Sequence, residues 1–335
     1  AHSALNFAQI ILMLQEPLQN FLTNFAKMGV PLPDYTVWKL LPITSDLIKD
    51  FASGSSLFDF SDKKLEKNNN ENQALFGPYK APEGGYGGFR GSFSSEIVDE
   101  ESKISIRRWA KLEDLPNIIK IAESFENVYA SVGIHPDERL EDFTLTPEFL
   151  LQYVDKPKVI AIGETGLDYY RVDDLLANKK NMKWQHERFI LHIEVAKKAA
   201  LPLIIHTRES IEDTLAIMNE HDAIKAGAVM HCFTENLSNA RRCLDMGFYI
   251  SISGIVTFKN AVSIQEVARY VPMDRLLVET DAPFLAPVPF RGKVNHPALI
   301  LHTAQFVADL KGISLEALGS ATTNNFFTLF HKAKK

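Results

Sequence analysis

Six short apolar runs recur from residue 128 onward: Val128–Ile134, Val159–Ile162, Leu203–Ile205, Ala228–Met230, Phe248–Ile252 and Leu276–Val278. They are brief and mostly lack polar alternation, as strands buried on both faces of a parallel sheet do. Helical spacing lies between most of them, as in Arg188–Ala200 and Leu237–Met246, and Leu115–Ser124 ahead of the first run has it too. A weaker strand is expected over Ser102–Trp109, where Ile104 and Ile106 alternate with polar residues. Strands that alternate with crossovers define an α/β chain, and this number favours a TIM-type (β/α)8 barrel over an open doubly wound sheet. An open sheet would be expected to show a glycine-rich phosphate loop after an early strand; the Gly84–Gly88 run has no strand before it.

The residues at the end of each run carry the chemistry. The first run ends in His135-Pro136 and the second in Gly163-Glu164, with Asp168 a turn later. The third ends in His206-Thr207-Arg208-Glu209, the fourth in His231-Cys232-Phe233 and the last in Glu279-Thr280-Asp281. In a barrel these ends meet on one face. Histidines, carboxylates and an arginine arriving there suit a hydrolytic site built on hard metals or zinc. Each residue also has a plainer reading. A single strand-end histidine is more often a hydrogen-bonded structural residue than a ligand. Glu164 could pair with Arg171 or Arg208, and Asp281 could cap a helix or hold a turn. A purely structural origin for all five strand ends together is improbable. His186, His192, His221, His302 and His331 lie in helical or polar stretches and are read as structural.

A net charge of −6 and a pI near 6.0 argue against broad coating of duplex nucleic acid but leave room for a local cleft that handles phosphates. Two cysteines, Cys232 and Cys243, exclude a disulfide scaffold and suit a reducing compartment. The Ile10–Leu14 run is too short to span a membrane and lacks a signal peptide's layout, so a cytoplasmic protein without membrane partners is expected. Residues 6–29 carry helical spacing, with Leu14, Leu18, Leu22 and Phe25 on one face and Gly29 at the stop, and 1–29 are read as a first strand end and first helix of the barrel. Residues 30–102 lose regular pattern and read as an insertion or unrelated loop-rich segment; 103–331 are the barrel. Within the insertion, Lys63, Lys64, Lys67, Lys80 and Arg90, near Tyr79, Tyr86 and Phe89, could touch single-stranded nucleic acid, although a solvated loop is favoured.

The segments ASVGIHP (130–136), AIGETGLDYY (161–170), LPLIIHTRE (201–209), MHCFT (230–234), YISISG (249–254) and LLVETDAP (276–283) resemble the TatD family of metal-dependent deoxyribonucleases, in the amidohydrolase superfamily. The resemblance implies a TIM-type barrel with up to two divalent metal ions, Mg²⁺ foremost and Zn²⁺ or Mn²⁺ as alternatives. It implies that Glu164 bridges the metals, that His206 and His231 bind one, and that Asp281 binds the other and accepts a proton from the attacking water. His135 and Arg208 are the candidates for holding the scissile phosphate. Asn295-His296-Pro297 resembles the family's segment after the last strand, with a structural role favoured for His296. The family opens on a strand ending in His-x-His; here Ala1-His2-Ser3-Ala4 keeps His2 as a metal ligand, and Ala4 replaces the second histidine. The alternative is that this short likeness is chance. The expected activity is a hydrolase acting on ester bonds, cutting DNA as single strands or from ends. The alternatives are hydrolysis of an ester or amide such as aminoacyl-RNA, or a degraded, non-catalytic member.

Overall fold

Eight strands run through the described chain: β1 (Ala8–Leu12), β2 (Trp38–Lys39), β3 (Val128–Val132), β4 (Val159–Asp168), β5 (Leu203–Arg208), β6 (Ala228–Met230), β7 (Tyr249–Ile252) and β8 (Leu276–Val278). The computed structural model describes residues 8–12, 38–39, 115–124, 128–138, 140, 143–170, 182–282, 284–295 and 297–334, the first two segments as strand backbone only. Eight helices accompany the strands: α1 (Leu115–Glu123), α2 (Pro147–Val154), α3 (Lys183–Ala199), α4 (Ile211–Glu220), α5 (Leu237–Asp245), α6 (Val262–Tyr270), α7 (Ile300–Lys311) and α8 (Leu315–Leu329).

All six apolar runs form strands, and β3 to β8 pair in sequence order, every pair parallel. A helix from α2 to α6 fills each crossover between them. Every residue of β3 and β4 is buried, which explains their unbroken apolar reading. The sheet curls, and its interior is lined by Tyr129, Ile160, Ala161, Ile204, Val229, Tyr249 and Leu277, all from the first three residues of their strands. Phe326 and Leu329 of α8, with Phe330 and Ala333 after it, pack onto that lining and floor the barrel. Phe326 and Phe330 are almost wholly buried, each stabilising the floor by roughly 2–3 kcal/mol. The tail is pinned there: the Tyr129 hydroxyl accepts from Lys334 N at 3.0 Å, and Lys332 Nζ donates to the Val154 and Lys156 carbonyls. The larger cluster lies between the strands and the helices around them.

The N-terminal expectation changes. Ala8–Leu12, read as the start of a helix, is a strand that pairs antiparallel with β3, Ala8 beside Val132 and Leu12 beside Val128. The β-branched Ile10-Ile11 pair suits a strand, and β3 offers it an open backbone edge; local edge pairing outweighs weak helical spacing. Residues 30–102, read as loop-rich, contribute Trp38–Lys39, which pairs parallel with β1. The helix expected over 13–29, the weak strand at 102–109, the Gly84–Gly88 run and the basic and aromatic residues of the insertion lie outside the described residues. Among the described residues no helix is long and apolar enough to cross a membrane.

Candidate metal centre

Glu164 owes its position to a defect in the sheet. In the β4–β5 register Gly163 faces Ile204 and Thr165 faces Ile205, so Glu164 is the extra residue of a bulge. Such a bulge re-aims a side chain. The strand expected to stop at Ile162 therefore continues to Asp168, with Gly163 (φ 147°) and Gly166 (φ 133°) as its permissive joints.

The Glu164 carboxylate is almost fully buried, and three imidazoles surround its Oε1: His206 Nδ1 at 2.8 Å, His231 Nε2 at 3.4 Å and His135 Nε2 at 3.7 Å. His231 Nε2 also lies 3.6 Å from Asp281 Oδ1. The structure thus brings Glu164, His206, His231, Asp281 and His135 into one cluster at the C-terminal mouth of the sheet. His135, expected at the phosphate, stands closer than that: its Nε2 is 3.3 Å from His206 Nδ1, and it forms with Glu164 and His206 a donor set within 4.8 Å. Arg208 stands apart, exposed, with its guanidinium 3.5 Å above the centre of the Tyr170 ring. His2, Ala4, Arg171 and His296 lie outside the described residues.

Two carboxylates had no role assigned from the sequence. Asp168 Oδ2 sits 3.2 Å from His206 Nε2, and Glu279 Oε1 sits 2.7 Å from His231 Nδ1. Each histidine therefore carries an outer carboxylate on one nitrogen and faces Glu164 with the other. An outer carboxylate fixes the tautomer and raises ligand basicity. The signal was the pair of acidic residues flanking Thr280 and the one closing the GETGLD run, but nothing linear says which histidine either would meet. Cys232 was also missed; it joins His231 and Glu279 in a second donor set, and its Sγ is 3.2 Å from Ser253 Oγ. Glu279→Gln keeps the shape and removes the charge behind His231. A ten- to hundredfold weaker Mn²⁺ affinity, read by titration calorimetry, is expected (roughly the usual effect of such partners).

The backbone is bent to deliver these groups. Cys232 (φ 43°) and Asp281 (φ 56°) adopt left-handed conformations, at a cost of about 1–2 kcal/mol each. Asn295 holds the second of these turns, donating through Nδ2 to the Thr280 and Phe284 carbonyls at 2.6 Å. Asn295 is thus structural, while the expectation for His296 falls outside the described residues.

The donor set fits divalent cations. Glu164, Asp168, Glu279 and Asp281 gather around His135, His206 and His231, an excess of anionic groups in a buried space. In the metal-free protein His206 absorbs part of that charge. Burial alone would push its imidazolium down, but the carboxylates of Asp168 and Glu164 outweigh this and lift its pKa to about 9. Burial likewise pushes Asp168 up, and the His206 hydrogen bond and charge, with the Tyr170 N–H, bring it down to about 2. To ligate a cation His206 must give up a proton, so cation uptake at neutral pH releases protons.

His192 of α3 behaves oppositely. Buried completely, it is held neutral with a pKa pushed from 6.5 to about 4 by desolvation. Because the unfolded chain binds this proton first, the stabilising contribution is complete above pH 6.5 and is lost as pH falls towards 4. The loss is about 3 kcal/mol. Urea unfolding compared at pH 7 and pH 4 should show it, and His192→Phe should flatten that part of the pH dependence. An unchanged slope in the variant would sink the assignment.

Comparison with known proteins agrees with this geometry. The family model described as TatD related DNase matches residues 93–331. YcfH of Escherichia coli K12, an uncharacterized metal-dependent hydrolase, is 47% identical over 206 residues, covering 62% of this chain and 75% of its own. YabD of Bacillus subtilis, of the same description, is 40% identical over 220 residues, covering 65% and 84%. The crystal structure of YJJV, a TatD homolog from Escherichia coli K12, matches with a TM-score of 0.60 at 29% identity, covering 65% of this chain and 83% of that one. Curled parallel sheet, strand-end donor set and kinship agree: the chain belongs to the TatD family of metal-dependent hydrolases.

Proposed function

We propose that the protein is a deoxyribonuclease that hydrolyses phosphodiester bonds in single strands or at DNA ends, with Mg²⁺ the leading cation and Mn²⁺ or Zn²⁺ as substitutes. The observation that carries this reading is Arg208. Two residues beyond His206, its guanidinium is fixed on the Tyr170 ring and exposed at the mouth. A fixed cation beside a hydrolytic centre suits an anionic diester as the group being cleaved, whereas the ester of an aminoacyl-RNA carries no charge of its own and would meet the cation only through a neighbouring phosphate. The matching family model, described as TatD related DNase, points the same way.

Glu164, His206, His231 and Asp281 would hold the cations, with His135 beside them at the phosphate. Bound divalent ions supply an activated water and neutralise charge on the phosphoryl group. Asp281 is the proton acceptor. Its side chain is 17% exposed against 1% for Glu164, so it alone of this pair can pass a proton on to solvent. The water's proton goes to an Asp281 carboxylate oxygen as the new P–O bond forms, and the leaving oxygen departs with a proton returned through solvent. Glu164, enclosed by imidazoles, keeps its charge and its place. Neither Cys232 nor Cys243 is in a disulfide, in keeping with a cytoplasmic setting.

The test is one preparation given single-stranded DNA, duplex DNA and an aminoacyl ester, with Mg²⁺ and with chelator. Mg²⁺-dependent DNA cleavage is expected, with Arg208→Ala raising KM about tenfold, the loss of one charge-assisted contact. Turnover of the ester alone would overturn the reading in favour of ester hydrolysis, and no turnover of either would favour a non-catalytic member.

A further inference from the structure

Helix α3 turns an unusual face to the site. Gln185, Arg188 and His192 are spaced i, i+3 and i+7, so they share one side of the helix. All are buried at 9% exposure or less, which is costly for polar groups unless each is satisfied. Each is satisfied by the backbone of a strand end that carries a site residue. Gln185 grips Asp168 at both backbone groups: its Oε1 accepts from Asp168 N at 2.9 Å and its Nε2 donates to Asp168 O at 3.0 Å. Arg188 Nη1 donates to His135 O at 3.3 Å, while its guanidinium lies 4.5 Å above the Trp184 ring. His192 Nε2 accepts from Ile134 N at 3.0 Å. That bond needs a lone pair on Nε2, so the proton sits on Nδ1 and goes to the Arg188 carbonyl at 2.7 Å.

We propose that Gln185, Arg188 and His192 form a positioning row on α3 that fixes the backbone at the ends of β3 and β4, setting the Asp168 grip on His206 and the placement of His135. None of the three touches the reacting atoms; they act through residues that do. The inference rests on the metal-centre reading of this cluster. It makes a prediction that mere structural support does not: damage at the two ends of the row has different consequences. Gln185 leads through Asp168 and His206 to cation affinity. His192 leads through Ile134 to His135, and so to the phosphate.

The experiment compares wild type with Gln185→Met, His192→Phe and, as a control on the same helix, the buried Val195→Ala. Mn²⁺ affinity is read by calorimetry, KM and kcat on a single-stranded oligonucleotide, and thermal stability by melting. Gln185→Met is expected to weaken Mn²⁺ binding ten- to hundredfold (roughly the range for outer-shell partners of metal ligands). His192→Phe should leave Mn²⁺ affinity within about twofold and raise KM about tenfold. Val195→Ala should melt earlier with both constants unchanged. Mn²⁺ affinity unchanged in Gln185→Met, or changed as much in Val195→Ala, overturns the proposal. Should Gln185→Met fail to fold, Gln185→Glu keeps the acceptor for Asp168 N–H but cannot donate to its carbonyl. It is expected to bind Mn²⁺ more weakly than wild type, and wild-type affinity there overturns the proposal too. A wild type that takes up no Mn²⁺ overturns the metal centre itself, a failure visible before any variant is made.

Discussion

Glu164→Gln is expected to lower hydrolysis by about a thousandfold, equivalent to roughly 4 kcal/mol of transition-state stabilisation. The substitution changes almost no volume, but it removes the charge that three imidazoles converge upon. Cation affinity falls, because an amide oxygen is a poorer partner for a hard divalent ion than a carboxylate. The acidity of His206 also changes, since Glu164 is one of the carboxylates that hold its proton in the metal-free state. The expected signature is lost activity and lost Mn²⁺ binding with the melting temperature of the metal-free protein little changed, because removing a buried charge also removes its desolvation cost. Activity within tenfold of wild type would mean that Glu164 is not at the reacting centre.

Gly166→Ala should have the largest effect on stability of any single methyl added to the barrel. Gly166 has φ 133°, a conformation side-chain-bearing residues rarely adopt, and it faces His206 across the β4–β5 ladder. A methyl there would press into the His206 carbonyl, and it would stand 3.1 Å from His206 N. Relief requires β4 and β5 to part where they hold Glu164 and His206 together. Strain and lost packing together amount to roughly 4 kcal/mol or more, enough to remove most of a domain's margin. Gly292 is the control: it too has positive φ (87°), but a methyl there meets nothing within 4 Å. Gly292→Ala should cost about 1 kcal/mol in denaturant titrations. Equal midpoints for the two variants would show that close packing at Gly166 is not what matters.

How much of this could be read from the chain alone depends on the range of the interaction. Buried parallel strands announce themselves, because burial on both faces leaves Val159–Ile162 or Leu203–Ile205 no room for polar residues. The meeting of Glu164, His206, His231 and Asp281 was legible for the same reason, since strand ends in such a sheet share one face. The β4 bulge was not, because Gly163-Glu164-Thr165-Gly166 reads as a turn until its register with Ile204 and Ile205 is known. The same holds for Asp168 and Glu279, whose partners His206 and His231 are 38 and 48 residues away in sequence and adjacent only in the fold. The edge strand Ala8–Leu12 was misread because five residues carry too little periodicity to choose between helix and strand, and the choice fell to β3.

The aromatic floor has a consequence for traffic. With Phe326 and Phe330 packed across the inner lining and the tail pinned to Tyr129, the described residues close off that end of the barrel. Under the proposed nuclease reading, a strand engaged at the mouth cannot pass that floor, so the shortened strand and the released fragment would share one doorway. On that reading the fragment would clear past Arg208 and Tyr170 before the next terminus settles. A phosphate-bearing product should therefore compete with fresh substrate, and turnover on long strands should be distributive, with many molecules trimmed a little instead of a few trimmed completely.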